Sequence, residues 1–283
     1  MGLFDSFWHR LLRRPYKLDF LEAGEGKRTV VLLHGLAADK DVWRRLIEEL
    51  SPDAWHIVAP DLMGFGASPK PQWNNYTVEE HARMVLALLR RLDIKGPVVL
   101  VGHSMGCLVA AHIAATKPKL VSRLVLHEPP LLGDMPEFPE HTKRSERYKA
   151  LFEYIASHPQ LAHLENKIMW RLARKVSGLY LSPEEWLPFE RSLRNTILGQ
   201  RAYDELNAVS MPTDIVYGNL DLIVIRRGIQ ELFQSNKNIK LHLVTDTHGI
   251  SARSARYLAG LLKGREVRVH KKRRRKSARQ TRP

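Results

Sequence analysis

The chain has almost no cysteine: Cys107 stands alone among 283 residues. A single thiol excludes an intrachain disulfide and any multi-cysteine metal site, and it fits a reducing compartment. Also missing is an uninterrupted apolar run near the roughly 18 residues that a membrane span needs. The first residues, Gly2-Leu3-Phe4-Asp5-Ser6-Phe7-Trp8-His9, lack the basic start and long apolar stretch of a secretory signal. Together these absences lead us to expect a cytoplasmic protein. Metal-ligand spacing, a phosphate loop and a dinucleotide fingerprint are absent too, so neither a cofactor nor a metal is expected.

Acidic residues are the next deficit, 30 against 45 Lys and Arg, for a net charge of +15. The excess sits at the ends. Residues 265–283 hold ten Lys/Arg and one Glu, and residues 1–17 hold four and one, which leaves the body nearly balanced at +3. The high isoelectric point therefore describes the two ends and says little about the body.

What the body does have is alternation. Short β-branched and apolar runs (Tyr16–Ala23, Thr29–Leu33, Trp55–Ala59, Pro97–Val101, Ser122–His127, Thr213–Tyr217, Ile239–Val244) read as strands. Between them Asp41–Leu50, Thr77–Leu92, Met105–Lys117, Arg226–Ser235 and Ser251–Leu262 read as helices. That is the pattern of an α/β protein, a mostly parallel sheet covered by helices. From about Leu131 to Leu206 no convincing strand occurs, and Pro136, Pro139, Pro159, Pro183 and Pro188 punctuate helical segments. The expected division is an amphipathic N-terminal helix (1–17), a core in two parts (18–130 and 207–264) around a helical insertion (131–206), and a basic tail (265–283). Phe152, Tyr154, Trp170, Tyr180, Trp186 and Phe189 form either the insertion's own small core or the walls of an apolar pocket over the sheet.

The strongest chemical signal is Val98-Val99-Leu100-Val101-Gly102-His103-Ser104-Met105-Gly106-Cys107, a strand running into Gly-x-Ser-x-Gly and then a small-residue helix. A serine at such a turn is held in a strained backbone conformation, and the flanking glycines relieve the crowding. The next amide, Met105 N–H, opens a helix, where partial positive charge favours a developing oxyanion. Serine is a poor nucleophile at neutral pH, so a base and an orienting acid are required. Asp221 follows the strand ending at Tyr217, and His248 follows the strand ending at Val244, both on the rim where ligand sites of open α/β sheets lie. Glu128, after the strand ending at His127, is the competing acid. Upstream, the turn His34-Gly35-Leu36-Ala37 could bring a second amide, Leu36 N–H, opposite Met105; such a donor is worth roughly 3 to 4 kcal/mol where one has been removed. His34 reads as a loop-fixing residue and Asp61, in Asp61-Leu62-Met63-Gly64-Phe65-Gly66-Ala67-Ser68, as a structural one.

These four elements in order, the His34-Gly35 turn, Asp61 through Ser68, Gly102 through Gly106, and the Asp221/His248 pair, resemble the α/β-hydrolase superfamily over residues 18–264. The resemblance is to the branch with a helical cap that contains carboxylesterases, monoacylglycerol lipases and carbon–carbon bond hydrolases. It implies an α/β-hydrolase fold with 131–206 as the cap. Epoxide hydrolases and haloalkane dehalogenases of the superfamily use aspartate at the elbow, and Ser104 argues against both. Many members carry glycine where Cys107 stands, a departure that concerns helix packing.

The expected activity is that of a serine hydrolase cleaving carboxylic esters, lipid-like acyl esters among them, through a Ser104-His248-Asp221 triad and an acyl-enzyme. Carbon–carbon bond hydrolysis and acyl transfer are alternatives on the same fold. A non-catalytic binding module using the basic tail is the alternative of another class. At the N-terminus, Leu3, Phe4, Phe7, Trp8, Leu11 and Leu12 fall on one helical face and Asp5, Ser6, His9, Arg10 and Arg13 on the other. With the run Lys271-Lys272-Arg273-Arg274-Arg275-Lys276, this gives an anionic membrane surface as the expected partner beside the small-molecule ester, and the inner face of a membrane as a second expected location. Nucleic acid is the alternative partner of the tail. Oligomeric state is left open.

Overall fold

The computed structural model describes residues 14–132, 182–221, 223–224 and 226–264, with positions 9, 12, 146–147, 149–151, 153–154 and 157–158. Most of the expected N-terminal helix, most of the expected insertion, with Phe152, Trp170 and Tyr180, and the whole basic tail lie outside the described residues.

A run such as Val30-Val31-Leu32-Leu33 puts apolar side chains on both faces of a strand, and such a strand is stable only inside a sheet covered on both sides. All four residues are fully buried. Among the described residues seven strands form one sheet: β1 (Phe20–Ala23), β2 (Arg28–Leu33), β3 (Trp55–Pro60), β4 (Val98–His103), β5 (Val121–His127), β6 (Thr213–Gly218) and β7 (Ile239–Val244), in the order β1-β3-β2-β4-β5-β6-β7. Only β1 is antiparallel to its neighbour, β3; the other pairings are parallel. Side-chain alternation then builds two cores. Val31, Leu33, Leu100, Leu124 and Leu126 join α2 (Val78–Arg91) and α3 (Met105–Thr116) on one face. Val30, Leu32, Val101, Val125 and Val216 join α1 (Arg44–Glu49) and α7 (Ala252–Leu262) on the other.

Local chemistry sets the helix starts. Thr77 and Glu80 form a reciprocal capping box at the head of α2, and Arg90 and Arg91 sit in its last turn. Ser251 caps α7 by accepting from the Arg253 and Ser254 amides. Buried over most of its length, α3 can approach the sheet closely because Gly106 has no side chain: a Cβ there would lie 2.2 Å from the Leu33 carbonyl oxygen. Between β5 and β6 the described residues hold helix and no strand: α4 (Trp186–Ser192), a wider π turn over Leu193–Leu198, and α5 (Ala202–Ala208). After β6, α6 (Arg226–Ser235) packs against the α2/α3 side through Ile229 and Leu232.

Two expectations needed revision. The strand anticipated from Tyr16 begins only at Phe20. Tyr16 and Leu18 do alternate and are buried, but they pack into the core rather than on a partner strand, and the Tyr16 amide donates to the Met84 sulfur at 3.2 Å. The helix anticipated over Asp41–Leu50 is split into a 3₁₀ turn (Lys40–Trp43) and the short α1, with Trp43 fully buried at the join.

Candidate active site

Ser104 ends β4 and opens α3 with φ 51° and ψ −122°, a left-handed conformation that costs a non-glycine residue energy. Backbone hydrogen bonds hold it there: Ser104 N–H donates to the His127 carbonyl at 3.0 Å, and Cys107 N–H donates to the Ser104 carbonyl at 2.8 Å. Glycine on both sides is obligatory in this packing. A Cβ on Gly102 would lie 2.5 Å from the Gly106 carbonyl oxygen. The side chain of Ser104 therefore stands clear of the sheet at the carboxyl ends of its strands.

Two loops on that rim meet it. Ser104 Oγ lies 2.9 Å from His248 Nε2, and His248 Nδ1 lies 2.7 Å from Asp221 Oδ2. An ionised carboxylate only accepts, so Nδ1 carries the proton and the Nε2 lone pair faces the serine hydroxyl. Asp221 is itself fixed, since its Oδ1 accepts the Ile223 and Val224 amides at 2.7 and 3.3 Å. Burial acts to raise the Asp221 carboxyl, but the hydrogen bond from His248 and the neighbouring polar groups outweigh it and hold it well below the usual carboxylate range.

The other expected residues take the following places. Met105 is the first residue of α3, so its N–H has no carbonyl one turn earlier in the helix to bond. The Gly35-Leu36 turn abuts Ser104: a Cβ on Gly35 would lie 3.0 Å from Ser104 Cβ. Buried His34 donates from Nδ1 to the Gly35 carbonyl at 2.8 Å and accepts the Leu62 amide at Nε2, also at 2.8 Å, which occupies both nitrogens in holding loops. Asp61 accepts from the Lys40 amide, the Lys40 ammonium and the Ala67 amide and ties two rim loops together. Glu128 is buried beside Asp221 and does not reach His248 in Asp221's place. Cys107 is buried under the elbow, and burial pushes its thiol well above the ordinary range. Of the aromatics expected either in the insertion's own core or in the walls of a pocket, Phe189 is buried in the core, Trp186 packs beside it, and Tyr154 is exposed.

One contributor was not anticipated. His103 Nε2–H donates to the His248 carbonyl at 2.7 Å, which anchors the His248 loop to the residue before Ser104. In the sequence it is only the variable position of Gly-x-Ser-x-Gly. Far from this rim, a cavity of about 620 Å³ opens where α2 and α3 end. Its Arg90, Lys95 and Lys119 lie near helix carboxyl ends, where cations offset the dipole.

Comparison with known proteins fits this geometry. The sequence profile described as alpha/beta hydrolase fold matches residues 28–249, from the start of β2 to the residue after His248. The chain belongs to the alpha/beta hydrolase fold family. Among curated relatives, lipase LipV of Mycobacterium tuberculosis is 40% identical over 110 residues, 38% of this chain and 40% of that protein. A haloalkane dehalogenase of Mesorhizobium japonicum is 37% identical over 111 residues, 39% and 35% of the two chains. The matches thus span about two fifths or less of these relatives. The enol-lactonase from Burkholderia xenovorans LB400 shares the fold of this hydrolase with a TM-score of 0.65 at 19% identity, over 87% of this chain and 95% of that one. The thioesterase domain of the curacin biosynthetic pathway does so at 0.62 and 21%, over 88% and 100%.

Proposed function

We propose that this alpha/beta hydrolase cleaves carboxylic esters by nucleophilic catalysis. The observation that carries the reading is the unbroken line of hydrogen bonds from Ser104 Oγ through His248 to Asp221. His248 takes the hydroxyl proton as Ser104 attacks the ester carbonyl, and Asp221 holds the imidazole in the tautomer that can accept it. The Leu36 and Met105 amides face the oxyanion of the tetrahedral intermediate. The alcohol then leaves with the proton from His248, and a water activated by the same imidazole releases the acid from the acyl-enzyme. Because the elbow residue is a serine, the intermediate is an acyl ester of this chain.

In this reading residues 131–206 form a cap that shapes an apolar acyl site, and residues 1–17 with 265–283 attach the protein to an anionic surface. A fluorophosphonate probe and p-nitrophenyl esters of two, four, eight and twelve carbons test it. Ser104→Ala should lose probe labelling and reduce turnover by roughly 10⁴-fold or more. Unchanged labelling in that variant would sink the proposal. If the native protein neither turns over an ester nor takes the label, it is a binding module. Adding an alcohol acceptor during turnover separates acyl transfer from hydrolysis.

A further inference from the structure

Next to the triad lies a carboxyl group that the proposed chemistry does not use. Glu128 follows β5 with φ 55°, in the left-handed region, and its N–H donates to the Val216 carbonyl at 2.8 Å. Its side chain is fully buried. Among the described residues no donor closes a hydrogen bond to either of its oxygens. The Gly218 amide faces it, and a Cβ on Gly218 would lie 2.2 Å from the Asp246 carbonyl oxygen and 2.9 Å from Glu128 Oε1, so only glycine fits between that carbonyl and the carboxyl. His127 Nδ1 is 4.0 Å from Oε1, too far to bond. What Glu128 does face is another acceptor: it, Asp221 and His248 bring one ligating atom each within 4.8 Å of one another.

Two buried carboxylates this close cannot both be ionised without a cation between them. Lone-pair arithmetic shows where a shared proton fits. Among the described residues Asp221 Oδ1 takes two amides and Oδ2 takes only His248 Nδ1–H, which leaves one acceptor site on the Asp221 carboxylate open. A protonated Glu128 fills that site and meets its own need for a partner.

We propose that Glu128 is a positioning residue whose neutral carboxylic acid donates to Asp221, so that the acid pair carries a single negative charge toward His248. This rests on the triad reading above. Burial, with Asp221 acting in the same direction, pushes the Glu128 carboxyl up to about 11. The surroundings agree. The titratable groups around the pair are His248, Asp246, His127, His103 and Cys107; burial keeps His103, His127 and Cys107 uncharged near neutrality, so none supplies the cation an ionised Glu128 would need. The donor also tempers the acid: a hydrogen bond into Asp221 draws charge from the carboxylate and weakens its pull on the imidazolium.

The sign of a pH shift tests this. The rate of fluorophosphonate labelling against pH reports, on its acid limb, the protonation of His248 in the free enzyme. Glu128→Gln keeps a neutral donor in place and should leave that limb within a few tenths of a pH unit, with turnover within about threefold. Glu128→Leu removes the donor, leaves Asp221 more basic, and should move the limb to higher pH while lowering kcat more than KM. Glu128→Met serves if the leucine variant does not fold. A limb that moves to lower pH in Glu128→Gln would mean that a negative charge had been removed, and would overturn the proposal. A limb unmoved in both apolar variants would overturn it as well. Labelling that is absent from the native protein, or that survives Ser104→Ala, instead refutes the triad reading itself.

Discussion

His127 carries the cost of being a base without a partner. It is fully buried, neither ring nitrogen has a hydrogen-bond partner among the described residues, and its ring meets that of His103 edge-on at 5.4 Å. Burial lowers its pKa from 6.5 to about 4. The unfolded chain therefore takes up this proton first as pH falls, so the stability due to neutral His127 is complete above about 6.5 and lost on the way down to about 4. At pH 5 the loss is on the order of 2 kcal/mol. In urea unfolding, His127→Phe should show a smaller drop in stability between pH 7.5 and pH 5 by about that amount. An equal drop in both proteins would show that His127 does not govern it. At this scale the sequence was readable where chemistry is written in a motif. Ser104, Asp221 and His248 announce themselves by type and by position after a strand. His103 did not, and Glu128 did so only as a competing acid, because what distinguishes them is who faces them across the fold: a carbonyl 145 residues away for one, a second carboxyl for the other.

Helices and strands were legible in proportion to how much of their stability is local. The continuous apolar runs of β2, β4 and β5 and the capped, amphipathic α2 stand in the structure almost as read. The segment from Tyr16 misled because alternation records burial, and burial against a helix looks the same as burial in a sheet. Two caps of similar chemistry should behave differently. Thr77 Oγ1 accepts the Glu80 amide at 3.3 Å and serves α2 alone. Ser251 caps α7 and also donates to Asp246, two residues before His248. Thr77→Ala and Ser251→Ala should each lower the unfolding free energy by about 1 kcal/mol. Only Ser251→Ala should also slow ester turnover, because it frees the loop that carries the base. Equal turnover in the two variants would show that the Ser251–Asp246 bond does not position the loop.

For the whole molecule, charge and chemistry are segregated. The body carries +3 and the last 19 residues +9. Each basic residue near an anionic surface contributes about 1 kcal/mol, screened as the Debye length falls from about 10 Å at 0.1 M salt to about 3 Å at 1 M. Deleting residues 265–283 should reduce sedimentation with phosphatidylserine vesicles at low salt and leave hydrolysis of a soluble ester unchanged. If the full-length chain stays in the supernatant at low salt, the membrane reading fails.

Where that tail is rooted sets what such an attachment can do. Arg28 at the head of β2 donates to the Leu262 carbonyl, Arg123 near the head of β5 donates to the Leu261 carbonyl, and Lys263 donates to the Glu49 carbonyl. The end of α7 is thus stapled to the amino ends of the strands, the rim opposite Ser104. A surface gripping the chain close to Gly264 would leave the mouth of the site looking outward, toward whatever is dissolved around it. Nineteen residues can nonetheless reach about 60 Å when drawn out fully, more than the breadth of a domain of this size. Under the proposed membrane reading the tail would be a mooring line, raising the encounter rate with the surface while leaving the body free to turn and present either rim.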